Sequence, residues 1–179
     1  MKSDITKFIK RRLQMIDDNR WDDFWADVAE AGENCYPFED LQDVSEVTEL
    51  LYDCGADPLS GIDYVPDGFL CGSNRSVISI PNTIHQIHDQ AFAYMQNLKE
   101  LVLPASVIHV DSWAFRECSN LNIVTIMNPT CSIGMDAFLD CNNIRTIVYN
   151  GTRQDWEDYQ SDVPFYNCHV KCVDGVIEL

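Results

Sequence analysis

The sequence predicts an α+β chain built on a short right-handed solenoid of 23-residue repeats, preceded by a three-helix cap and followed by a closing helix and hairpin. Three observations carry this. The phrases IPNTIHQIHDQAFAYMQN from Ile80, LPASVIHVDSWAFRECSN from Leu103 and IMNPTCSIGMDAFLDCNN from Ile126 begin 23 residues apart. The first sixty residues instead show apolar positions at helical spacing, and the last thirty hold Asn-Gly and Asp-Gly turn signals. At the 23-residue period the columns read Phe69, Phe92, Phe115, Phe138; Ala91, Ala114, Ala137; Ile87, Val110, Ile133, Trp156; and Leu98, Leu121, Ile144. A fixed period of this length with aliphatic columns is the mark of a leucine-rich solenoid, in which each repeat buries its apolar side on the next.

Residues 1–60 read as an acidic helical cap. Ser3 or Asp4 caps a first helix with Ile5, Phe8, Ile9, Leu13 and Ile16 on one face. A second runs from Asn19 through Trp21, Phe24, Trp25 and Val28 to Gly32, with Asp22, Asp23, Asp27 and Glu30 on its polar face. A third runs from Asp43 or Ser45 through Val47, Leu50 and Leu51 to Cys54, with Gly55 as its left-handed stop. The solenoid follows over 61–149. Its first repeat is degenerate, with Tyr64 and Phe69 in the columns but the leucines missing, as suits a terminal repeat that the helices cover.

Within each repeat, period-two alternation assigns strand faces. Ile78 and Ile80, Leu101 and Leu103, Val124 and Ile126, and Ile147 and Tyr149 point inward. Val77 and Ser79, Glu100 and Val102, Ile123 and Thr125, and Thr146 and Val148 then point out from a parallel ladder. Residues 150–179 close the array: Asn150-Gly151 turns, Thr152 caps a short helix through Trp156 and Tyr159, and VKCV-DG-VIEL forms a hairpin that covers the ladder's edge.

The LxxLxLPxSVxxIGxxAFxxCxxL pattern of Leu98 to Leu121 resembles the BspA-like, Treponema-type leucine-rich repeat family, over about residues 64 to 160. The tail YNGTRQDWEDY resembles the segment that often closes such arrays. The family's Gly after the Ile is kept at Gly134 and replaced by His88 and Asp111, and Met95 stands where Cys118 and Cys141 follow. The resemblance implies binding and scaffold roles with no shared active site, in a family found on bacterial surfaces, in protists and in bacteriophage genomes.

Composition narrows the function classes further. A 46% hydrophobic content with a net charge of −17 describes a folded chain with an acidic surface, which repels nucleic-acid phosphates and anionic membranes. The first residues, MKSDITKFIKRRLQMI, contain no uninterrupted apolar stretch, so no signal or membrane span is read there and a cytoplasmic location is expected. In a reducing compartment the eight cysteines are thiols, with Cys118 and Cys141 in a core column. The sequons at Asn74 and Asn150 carry no meaning in that compartment.

No phosphate loop, dinucleotide fingerprint, zinc-protease motif or nucleophile elbow occurs. His85, His88 and His109 lack a repeated acidic ligand, and Cys168, His169 and Cys172 lack a second ligand pair. No catalytic, cofactor or metal residue is assigned, and no cofactor or enzyme activity is expected. Between Leu13 and Ser60 fourteen acids face one arginine. That imbalance reads either as a solvated face or as a surface for a basic partner.

The expected function is a protein-binding adaptor or inhibitor. Its contacts are Val77, Val102, Ile123 and Val148 on the strand face and Asp22, Asp23, Asp27 and Glu30 on the second helix. The strand face also offers a route to self-association. The alternative is a phage-type acidic mimic of nucleic acid that occupies the basic groove of a host defence or DNA-binding protein.

Overall fold

A computed structural model describes residues 59, 62–159, 165 and 167–179. The helical cap read in residues 1–60, with Asp22, Asp23, Asp27 and Glu30, lies outside them apart from Leu59.

The described chain winds into a solenoid of about four turns with little helix. Each full turn contributes one strand to each of two sheets. A narrow sheet of two-residue strands holds β1 (Tyr64–Val65), β2 (Gln86–Ile87), β4 (His109–Val110) and β6 (Ser132–Ile133), all parallel. A wider sheet holds β3 (Glu100–Leu103), β5 (Ile123–Ile126), β7 (Thr146–Tyr149) and β8 (His169–Cys172) in parallel, with β9 (Gly175–Glu178) antiparallel at its edge. The predicted alternation holds on β3, β5 and β7: Leu101, Leu103, Val124, Ile126, Ile147 and Tyr149 are buried, and the residues between them are not.

Between the sheets runs the phenylalanine spine. Phe92 and Phe115 stack at 5.2 Å between ring centroids and 11° between planes, and Phe115 and Phe138 at 5.2 Å and 7°. Three rings one rung apart can stack face to face because the 23-residue register repeats their backbone without drift. The ladder bonds say the same: Phe92 N–H donates to the Ala114 carbonyl at 2.8 Å and Phe115 N–H to that of Ala137 at 2.8 Å.

The first turn departs from the predicted register. Tyr64 pairs with Gln86 and Val65 with Ile87, an offset of 22 instead of 23, so Val65 and not Tyr64 takes the buried column. The shorter offset persists through the turn, where Leu70 N–H reaches the Ala91 carbonyl and Gly72 N–H that of Ala93. Leu70 therefore corresponds to Phe92, and Phe69 lies one place earlier with its ring edge-on to Phe92 at 5.9 Å. Val65 and Leu70 keep the five-residue spacing of Ile87 and Phe92, so one residue fewer after the turn, before β2, accounts for both shifts. Residues 77–80 likewise do not extend the wider sheet. Ile80 is buried, but no strand forms there among the described residues, and the ladder begins at β3.

Side chains reinforce the stack. Asn97, Asn120 and Asn143, themselves 23 residues apart, donate to the carbonyls of Asn74, Gln96 and Ser119 in the preceding turn, at 3.1, 2.6 and 2.6 Å. The Cys118 and Cys141 thiols donate to the Phe92 and Phe115 carbonyls at 3.2 and 3.0 Å. At Gly134 a Cβ would lie 2.6 Å from the Ser112 backbone nitrogen, so this turn admits no side chain.

The closing elements form as the turn signals predict. Helix α1 (Arg153–Tyr159) starts at a capping box: Thr152 Oγ1 accepts from Asp155 N–H at 3.1 Å, while the Asp155 carboxylate accepts from Thr152 N–H at 2.8 Å. Those Thr152 bonds also hold the Asp155 carboxyl below its ordinary pKa. Trp156 is fully buried against Tyr149, with ring centroids 5.0 Å apart, and continues the column of Ile87, Val110 and Ile133. Phe165 covers the end of the spine, 5.2 Å from Phe138. The strand β8 is itself a rung, since Thr146 pairs with His169 at the 23-residue offset, so the parallel ladder runs on beyond residue 149.

Candidate interaction surface

The outward side chains of the wider sheet form two rows fixed by the register. One row reads Glu100, Ile123, Thr146, His169, Glu178; the other reads Val102, Thr125, Val148, Lys171, Val176. Neighbouring strands lie about 4.8 Å apart. Of the strip predicted from the sequence, Val102, Ile123 and Val148 do lie outward on adjacent strands, with Val102 54% exposed and the other two half-buried. They alternate between rows, so apolar branched side chains and threonines form a checkerboard. Val77, 74% exposed, belongs to no strand and does not extend either row as a ladder position. The structure therefore brings three of the four strip residues together.

The sequence reading missed the two exposed bases on β8, His169 and Lys171. Their positions, 23 residues after Thr146 and Val148, were the available signal. His169 Nδ1 contacts the Glu178 carboxylate across the hairpin. Lys171 makes no ion pair among the described residues. The strip thus has an acid at the β3 end and bases at β8, with uncharged side chains between.

His88 and His109 occupy the narrow sheet's side. His88 stacks on Tyr64 at 4.9 Å and lies 3.8 Å from Asp67, and His109 Nε2 lies 2.8 Å from Asp111 Oδ1. Partial burial raises the Asp67 pKa; His88 opposes this, and Asp89 and Asp111 add to it. Among the described residues no three His, Cys, Asp or Glu side chains are placed to hold a metal ion. At the other candidate, Cys168 is buried and Cys172 half-buried, whereas His169 points outward, so alternation on the strand separates the imidazole from both thiols.

Cys118, Cys131, Cys141, Cys168 and Cys172 are free thiols. Their setting opposes ionisation. The hydrogen bond with Cys141, and then burial, push Cys118 far up, and burial pushes Cys131 up to about 12. A groove of about 650 Å³ beside Met135 to Cys141 holds Asp136, Asp140 and Arg145 as its charged groups, and its thiol, Cys141, is spent on the Phe115 carbonyl. Among the described residues no helix is long and apolar enough to cross a membrane.

Parallel rungs of 23 residues around an aromatic and aliphatic spine define a leucine-rich repeat solenoid. The sequence profile described as the BspA type leucine rich repeat region matches residues 64–176 in six copies, and the chain belongs to that family. Among solved structures it is similar to a leucine-rich repeat protein from Bacteroides ovatus, at 22% identity and a TM-score of 0.41. That match covers 53% of this chain and 24% of the Bacteroides protein, so the chain spans about a quarter of its length. The comparison with curated proteins gives no match.

Proposed function

We propose that this repeat module is a non-enzymatic, cytoplasmic protein-binding adaptor or inhibitor, and that its partner carries a basic surface. The observation that carries the reading is the outer face of β3, β5 and β7. Val102, Ile123 and Val148 stand there outside the core, on a sheet whose inner face already buries the spine. A surface of branched apolar and hydroxyl side chains on a rigid ladder suits a partner that dries it on docking. The net charge of −17 accelerates encounter with a basic partner without supplying most of the affinity. Asp22, Asp23, Asp27 and Glu30 belong to this proposal as the acidic side of the contact.

The same charge favours the second reading, an acidic mimic of nucleic acid. Affinity purification from the native cell supplies the partner, and two sets of variants separate the readings. Val102→Asp with Ile123→Asp is expected to weaken an adaptor's partner while leaving the fold intact. Charge reversal of Asp22, Asp23, Asp27 and Glu30 is expected mainly to slow association and flatten its salt dependence. Binding lost with the acids and indifferent to the strip establishes the mimic instead, and binding indifferent to both sets sinks this surface.

A further inference from the structure

In each turn of the solenoid the backbone reverses through left-handed residues, and the first turn places glycine there: Gly68 at φ 65° and Gly72 at φ 72°. In the ladder register their successors are Gln90 and Tyr94, and then Trp113 and Glu117. A tryptophan at φ 65° bears a steric strain that glycine escapes. Trp113 is 37% exposed and makes no ring contact among the described residues.

The next turn is bonded directly to this one. Trp113 N–H donates to the Asp136 carbonyl at 3.2 Å and Glu117 N–H to that of Leu139 at 2.8 Å. Met135, 68% exposed, and Leu139, 36% exposed, therefore lie one rung from Trp113 on the same ridge. Three large apolar side chains thus stand together at the surface of this ridge.

The charges on the ridge indicate what it meets. Asp136 and Asp140 flank Leu139 and make no ion pair among the described residues. Of the neighbouring cations, Arg116 is taken up 3.3 Å from Glu117 and 5.8 Å from the centre of the Tyr94 ring, and Arg145 donates to the Asn142 and Ile144 carbonyls at 3.1 and 3.2 Å. Indole faces attract ammonium and guanidinium groups, and a methionine side chain adapts to irregular apolar partners. We propose that the ridge of Trp113, Met135 and Leu139 is a second docking surface, separate from the strand face, that takes an apolar-faced cationic segment of a partner protein.

The test uses the full chain and a labelled synthetic Leu/Lys amphipathic peptide of about 18 residues as probe, read by fluorescence anisotropy at several salt concentrations. Saturable binding is expected, weakened about tenfold in Trp113→Gly and in Met135→Ala. It should be less salt-dependent in Asp136→Asn with Asp140→Asn. The proposal is overturned if the wild-type chain does not bind the peptide, or if Trp113→Gly and Met135→Ala bind it as the wild type does.

Discussion

Replacing Phe115 by alanine tests the spine at its centre. The ring is fully buried and both faces are covered by near-parallel neighbours at 5.2 Å, Phe92 on one side and Phe138 on the other. Truncating a buried phenylalanine costs about 3–5 kcal/mol, and the loss of two stacked contacts places this site in the upper half of that range. A domain of this size is stable by about 5–15 kcal/mol, so the variant forfeits a large part of its margin. With a urea slope of about 2 kcal/mol per molar, a loss of about 4 kcal/mol lowers the denaturation midpoint by about 2 M. The cost at Phe138 is expected to be smaller, because its outer neighbour Phe165 is tilted by 47° and leaves part of the face uncovered. Equilibrium urea denaturation followed by circular dichroism measures all three quantities. A midpoint shift below about 0.5 M for Phe115→Ala, at an unchanged slope, would refute the idea that nearest-neighbour stacking carries the stability.

Three further outcomes follow from the same contacts. Asn120→Ala removes the 2.6 Å bond to the Gln96 carbonyl and is expected to cost about 0.5–1.5 kcal/mol in the same denaturation assay, with no change in fold by circular dichroism. Thiol titration without reductant is expected to find Cys118, Cys131, Cys141 and Cys168 slow in the native protein and all eight thiols after unfolding; fewer than eight would reveal a disulfide. The third concerns alkali. Burial raises Cys131 from 9.0 to about 12, so above pH 9 the unfolded thiol ionises first. The stability contribution present below pH 9 is then lost as the pH rises toward 12, and Cys131→Ala should flatten that limb of a stability-against-pH curve.

The sequence alone determined the repeat. A period written in side chains is a local code, and Phe92, Phe115 and Phe138 carry it because each must occupy the same space one rung along. The inward positions of β3, β5 and β7 were legible for the same reason, as was the capping box at Thr152 and Asp155, which is complete within four residues. The Asn97, Asn120, Asn143 column was equally visible at that period, but its meaning was not. An exposed polar repeat becomes a bond only when the preceding turn's carbonyl is brought beneath it.

Tertiary structure decided the rest wherever an insertion or deletion breaks the count. One residue fewer in the first turn moves Val65 and Leu70 into the columns assigned to Tyr64 and Phe69. Nothing in the residue types distinguishes an offset of 22 from one of 23, because all four side chains are hydrophobic. The separate fates of Val77 and His169 have a related origin. Each lies at a repeat position, but a rung requires hydrogen bonds to a neighbouring strand. Residues 77–80 form no such strand, whereas β8 pairs with β7. Trp113 gives the same lesson at the turns: its alignment with a glycine of the first turn, and hence its strain, emerges only when the backbone register is known, since φ belongs to the fold and not to the residue.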